Sequence, residues 1–125
     1  MAASYGKASK AKATKLHSQL VRQRSDYKCE WCGVDGSSGK QIQCAHIISR
    51  AVSATRTDER NAVALCASCH WKQSKNPLLW ARWIESYLGK DHLDDLIERG
   101  VSGVSVNWDA EVERLQNTID LMNQS

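Results

Sequence analysis

Four cysteines stand in two matched pairs, Cys29-x-x-Cys32 and Cys66-x-x-Cys69, and His46, Asn61 and His70 are set in order with them. The pairs offer four thiolates, the number a tetrahedral structural zinc ion takes. A Cys₃His site using His70, or buried free thiols, are the alternatives. Cys44 is left over and reads as a small apolar residue of a strand. The other three side chains suit a second task. Hydrolysing a phosphodiester needs a base to activate water and a cation to neutralise the phosphate and the leaving oxygen. A histidine titrates near neutrality and can be the base, a second histidine can hold the cation, and Asn61 can pin a loop or reach that cation. Singly, each has a plainer reading: His46 as a hydrogen-bonded core residue, His70 as a zinc ligand or helix-start residue, Asn61 as a turn former. Their order between the Cys pairs favours the chemical reading. His17 and His92 lack such a setting and read as surface residues.

These groups need elements to hold them. Residues 1–10 read as a flexible basic segment, and a helix is predicted over 11–24, with Leu16, Leu20 and Val21 as a narrow apolar stripe. Cys29 to Gly33 reads as a metal knuckle, and Gly33, Gly36 and Gly39 mark a loop. A strand over 41–48, a long loop over 49–60, a second strand over 62–65 and a helix starting near Cys66 follow. Asn76-Pro77 is a helix start, with Asn as cap and Pro in the first turn. Trp80, Trp83, Ile84, Tyr87 and Leu88 then repeat with helical spacing up to Gly89, which makes these aromatics core residues rather than a platform for stacking bases. A helix from Asp91 to Gly100 carries Leu93, Leu96 and Ile97. After a Gly/Ser linker, the last helix begins near Asp109, with Val112, Leu115, Ile119 and Met122 on one face. That face can pack on its own domain or on a second subunit.

The chain has 125 residues, room for one compact domain with helical extensions. Its large rings are five Trp and three Tyr with no Phe, mostly outside the cysteine-rich middle, so that middle needs a staple. Residues 1–75 carry 13 Lys/Arg against 5 Asp/Glu, whereas residues 76–125 carry 4 against 9. The basic portion suits a polyanion. No apolar run reaches membrane-spanning length and no leader segment is evident, so the expected compartment is the cytoplasm, in a phage-infected or other bacterial cell. There, CxxC pairs bind metal more often than they form disulfides.

The run Cys29-x-x-Cys32-Gly33, Ala45-His46-Ile47-Ile48-Ser49-Arg50 and Ala54-Thr55-Arg56-x-Asp58-Glu59-Arg60-Asn61-Ala62-Val63-Ala64-Leu65-Cys66-x-x-Cys69-His70 resembles an HNH endonuclease. More narrowly, it is similar to the phage NinG/Rap recombination nucleases, over roughly residues 15–100. The resemblance implies an α+β fold: a small ββα-metal finger with a treble-clef-like zinc knuckle, flanked by N- and C-terminal helices. It implies a metal-dependent DNA endonuclease acting on branched recombination intermediates of the Holliday junction type. His46 would be the general base, Asn61 the loop-ordering or metal-proximal residue, and His70 a ligand of a catalytic Mg²⁺ or Mn²⁺. Cys29, Cys32, Cys66 and Cys69 would hold a separate structural Zn²⁺. Two departures stand out. Many HNH enzymes carry a metal-ligating Asp or His where this chain has Ala45, and the NinG/Rap second knuckle ends in Asn where this chain has His70.

The expected organisation is a basic arm and helix at 1–26, a zinc-stapled core at 27–75, a helical extension at 76–100, and a linker with a C-terminal helix at 101–125 available for dimerisation. Arg50, Arg56, Arg60, Lys72 and Lys75 are the expected phosphate contacts beside the site, and Lys12 and Lys15, with Lys7 and Lys10, a sequence-blind arm along the duplex. Competing readings are a nicking or double-strand HNH nuclease without junction preference, a non-catalytic zinc module that binds DNA, and a zinc-stapled protein adaptor.

Overall fold

A computed structural model of the chain describes residues 2–38 and 41–124, and side chains at 6–37 and 41–124. Met1, Gly39 and Lys40 lie outside the described residues, and with them the glycine expected to complete the loop after the knuckle.

The first helix, α1 (Ala2–Arg24), is longer than its apolar stripe predicts and takes in the segment expected to be flexible. Small helix-compatible residues such as Ala8 and Ala11 fill its first half, and Ser9 and Lys10 meet the far end of the chain there: Ser9 bonds Asp109, and the Lys10 ammonium sits 5.5 Å from the Trp108 ring centroid. The chain then turns through Asp26 and Tyr27, both with left-handed φ, into the first knuckle. Gly36 is required where the loop folds back, because a Cβ there would lie 2.6 Å from the Tyr27 carbonyl oxygen.

Strands β1 (Ile42–His46) and β2 (Ala62–Cys66) form an antiparallel pair with Ile42 opposite Cys66 and His46 opposite Ala62. Every residue of β2 is buried, whereas in β1 only Ile42 and Ala45 are, and Gln43, Cys44 and His46 are part-exposed. The intervening loop is more structured than its polar sequence predicts. It holds a short helix α2 (Ser53–Arg56) and a 3₁₀ turn (Glu59–Asn61) opened by Asp58, whose side chain accepts the Arg60 amide.

Helix α3 (Ala67–Lys75) leaves β2 directly, and α4 (Pro77–Leu88) starts on the Asn76 cap, whose side chain accepts the Leu79 amide. Helices α5 (Lys90–Val101) and α6 (Trp108–Asn123) complete the chain. Two apolar clusters result. The larger joins β1, β2, Val21, Trp80 and Ile84 with the buried cysteines Cys29, Cys66 and Cys69. The smaller joins Ala13, Leu16 and Leu20 of α1 to Leu115 and Ile119 of α6, with Trp108, Val112 and Met122 packed around them. The apolar face of α6 is therefore filled by α1, and the expected dimerisation through that face loses its surface. Helix α1 serves both clusters: Val21 faces the sheet while Leu16 and Leu20 face α6. Among the described residues, no helix is long and apolar enough to cross a membrane.

Candidate active site

The two knuckles meet at the end of the sheet. Sulfurs of Cys29, Cys32, Cys66 and Cys69 all lie within 4.8 Å of one another, and Cys32 Sγ is 3.7 Å from Cys66 Sγ. A tetrahedral ZnS₄ centre with Zn–S near 2.3 Å has S···S edges of about 3.8 Å, so the donor set fits zinc. The first knuckle is shaped for it. The Gly33 amide bonds the Cys29 carbonyl at 2.9 Å, with Gly33 at φ +82°, and the Cys32 amide points at Cys29 Sγ at 3.4 Å. Burial opposes ionisation of Cys29, but backbone amides around the sulfur outweigh it and bring the thiol down to about 7. Glu30 fastens the knuckle to β2: its amide donates to the Ala64 carbonyl and its carboxylate accepts the Ala64 amide. His70 is not in this cluster. Its Nδ1 is 2.6 Å from Gln43 Oε1, which leaves all four thiolates for zinc and the Cys₃His alternative without support.

His46 and His70 line one open cleft of about 530 Å³, together with Thr14, Ser18 and Arg22 of α1, Gln41, residues 42–44 of β1, Arg50 and Gln73. His46 Nε2 is 2.9 Å from the Arg56 carbonyl oxygen. A carbonyl only accepts, so Nε2 carries the ring proton and Nδ1 keeps a free lone pair. Burial lowers the His46 pKa against the raising effect of that hydrogen bond, and the charges of Arg50 and Arg56 lower it further. The ring is thus neutral at pH 7. Gln73 ties α3 to the same spot by donating to the His46 carbonyl at 2.8 Å. Burial also lowers the His70 pKa, and the Gln43 bond at Nδ1 leaves its Nε2 as the ligand atom.

Asn61 is placed differently from the expected metal ligand. It is 0 % exposed, its oxygen accepts the Ile48 amide at 2.8 Å, and its nitrogen donates to the carbonyls of Ile48 and Thr55 at 3.0 Å each. With the oxygen taken and the amide sealed behind the loop, it orders the segment after His46 and reaches no cation in the cleft.

The expected phosphate contacts divide. Arg50 is exposed on the cleft wall. Arg56 is spent on structure: its Nε donates to Thr14 Oγ1 at 2.9 Å and its guanidinium to the Arg50 carbonyl at 3.0 Å. Arg60 points the other way, into an ion pair with Asp95 of α5, and leaves the cleft altogether. Lys72 and Lys75 are exposed on α3, with the Lys72 ammonium 5.8 Å from the Trp31 ring centroid. Lys12 and Lys15 are exposed on α1.

Residues 29–76 match the HNH endonuclease family. The match covers under half of the chain, and it puts this segment in the HNH superfamily, whose members are generally DNA endonucleases that use divalent metals. No curated protein and no solved structure matches the chain. The HNH segment contains both knuckles, both strands, His46, Asn61 and His70, and it stops short of α1 and of helices α4 to α6.

Two residues of the cleft region, His17 and Arg22, escaped the sequence reading, and a third, Cys44, lies on β1 where a strand residue was expected. His17, expected on the surface, is 0 % exposed: its Nε2 is 2.9 Å from the Asp58 carbonyl and its ring is 5.0 Å from that of His46. Burial, opposed by the Asp58 bond, pulls its pKa down to about 4. Its position four residues from Ala13 and from Val21, both buried, is the signal that would have found it. Cys44 is half-buried beside it, with Sγ 3.9 Å from His17 Nδ1 and a thiol that burial pushes up to about 11. Arg22 lines the cleft from α1, held by a bond from its Nε to the Ser18 carbonyl. His92, also expected on the surface, is half-buried and contacts the Arg60 carbonyl at 2.8 Å.

Proposed function

We propose that the chain is a metal-dependent DNA endonuclease in which His46 is the general base, His70 the protein ligand of a catalytic divalent ion, and the four Cys a structural zinc site. The observation that carries this reading is that His46 and His70 share one cleft, each with one ring nitrogen fixed by a hydrogen bond and the other left for chemistry.

The His46 lone pair at Nδ1 takes a proton from water while the water oxygen bonds to phosphorus. The bond from phosphorus to the leaving sugar oxygen breaks, and that oxygen picks up a proton from solvent. Fixing Nε2–H on the Arg56 carbonyl holds the ring in the tautomer this transfer needs, and the lowered pKa keeps it unprotonated. His70 Nε2 would hold a divalent ion, whose positive charge would offset the charge that gathers on the phosphate and the leaving oxygen. Ala45 is fully buried in the sheet and offers no side-chain ligand, so His70 is the residue that would hold such an ion. Arg22 and Arg50 flank the cleft and bind phosphates on either side of the scissile bond.

Supercoiled plasmid incubated with Mg²⁺ or Mn²⁺ is the test. Wild type is expected to nick or linearise it, and His46→Ala to lose cutting by roughly 10²–10⁴-fold with zinc content and circular dichroism unchanged. A variant that still cuts would remove His46 as base. For substrate class, branched DNA rests on the likeness of the His46–Cys69 run to the NinG/Rap nucleases. Equal cleavage of a four-way junction and of linear duplex of the same sequence would replace that reading with a general HNH nuclease. A reducing cytosol, which keeps the four thiols available to zinc, is the compartment this reading calls for.

A further inference from the structure

A second group of metal-ligating atoms lies outside the zinc knuckles. One nitrogen of His17, one of His46 and the sulfur of Cys44 are all within 4.8 Å of one another. The group draws on α1 and β1, so it includes a residue beyond the segment that matches the HNH family. Both rings hold Nε2 against a backbone carbonyl, Asp58 for His17 and Arg56 for His46, which leaves Nδ1 of each for a ligand. His17 is fully buried, and its Nδ1 meets only the weak contact with Cys44 Sγ at 3.9 Å. Zn–N near 2.0 Å and Zn–S near 2.3 Å require edges of roughly 3.3–3.6 Å between such atoms. A shift of a few tenths of an ångström in the half-buried Cys44 side chain closes that gap on the sulfur side.

We infer that His17, Cys44 and His46 form an inhibitory site for a borderline-soft divalent ion of the Zn²⁺ class. Two imidazoles and a thiolate select such an ion and discriminate against Mg²⁺, which prefers oxygen. On binding, the Cys44 thiol gives its proton to solvent and its sulfur bonds the metal, with no change of oxidation state. Cys44 and His46 line the cleft while His17 closes the rear, so the ion enters from the cleft and keeps its fourth position there for water. The lone pair of His46 is then engaged and cannot accept a proton. The carbonyl bonds at Nε2 position both rings for this ligation. This inhibitory role rests on His46 being the base proposed above; the binding itself does not.

Two measurements on the full chain, first loaded with one zinc at the four Cys, separate these points. Dialysis against excess Zn²⁺ followed by metal analysis is expected to give two zinc per wild-type chain and one per Cys44→Ser chain. Titration of the one-zinc protein with Co²⁺ gives a folding-independent check: a single-thiolate charge-transfer band in wild type that is missing in Cys44→Ser. A wild type that retains only one zinc, or a second zinc that persists in Cys44→Ser and in His17→Gln, overturns the site. In the Mg²⁺-driven plasmid assay, the second equivalent of zinc is expected to slow wild type by roughly a hundred-fold, the lower end of what a positioned base contributes. The ratio of rates with and without zinc should stay within about two-fold in Cys44→Ser. Equal inhibition of both chains would assign the effect to the His70 ion and overturn the inhibitory role. Absence of cleavage without zinc would fault the endonuclease reading, while the zinc count would still decide the site.

Discussion

The side-chain oxygen of Asn61 accepts the backbone amide of Ile48 at 2.8 Å, across the full length of the loop that separates the two strands. Together with its donations to the carbonyls of Ile48 and Thr55, this makes one buried amide the clasp of a loop whose middle carries the Arg56 carbonyl on which His46 rests.

Asn61→Ala strands one amide and two carbonyls in the interior and is expected to cost about 3 kcal/mol. Asn61→Asp keeps the acceptor for Ile48 but sets a carboxylate against two carbonyl oxygens, so it should not recover that loss. Urea denaturation of the two variants measures both. An Asp variant as stable as wild type would show that the amide donors contribute nothing.

His17 makes stability depend on acid. Its pKa is about 4 in the fold against an ordinary 6.5, so the fold prefers the neutral ring. The contribution is complete above pH 6.5 and is lost as pH falls toward 4, by on the order of 3 kcal/mol. Denaturation midpoints across this range should fall more steeply in wild type than in His17→Gln, which keeps a donor for Asp58 without titrating there. Parallel curves for the two chains would exclude the ring as the source.

Chelation should unfold the middle of the chain. Cys29, Cys66 and Cys69 sit inside the larger apolar cluster, and four uncompensated thiols there replace a zinc centre worth on the order of 10 kcal/mol. Amide exchange is expected to lose protection across β1 and β2 on treatment with a strong chelator. Protection that survived would mean the sheet stands without metal.

Leu115→Ala empties a fully buried position between α6 and α1 and should destabilise the chain by about 2–5 kcal/mol. The same helix holds the loop through Arg114, which reaches both Glu59 oxygens at 2.9 Å, and through Glu111, which accepts the Thr57 hydroxyl. Arg114→Ala should therefore slow cleavage from far outside the cleft, through the Thr57 carbonyl that Arg114 also bonds and the neighbouring Arg56, whose carbonyl holds His46. Unchanged rates would show the loop to be self-supporting.

Much of this was legible in the residues. Paired cysteines, the Asn76-Pro77 start and the helical spacing of Trp80 and Ile84 are local signals, and the structure forms elements at those places. What stayed hidden depends on contacts made over long separations. Nothing near Leu16 announces Leu115, about a hundred residues away, yet their packing is what joins α1 to α6. Arg60 and Arg50 are alike as residues of a polar loop. Only the 3₁₀ turn at Glu59–Asn61 decides that one leaves for Asp95 while the other stays at the cleft. His17 was missed because it stands next to the leucine stripe, and only its four-residue spacing from Ala13 and Val21 puts it on the buried side of the helix.

Helix α1 lends Thr14, Ser18 and Arg22 to the cleft, yet it lies wholly upstream of residues 29–76. A fragment trimmed to that recognisable stretch would keep every signature residue and still present a trench with one bank missing. The stretch that matches a known family and the stretch that builds the cleft are different lengths of chain.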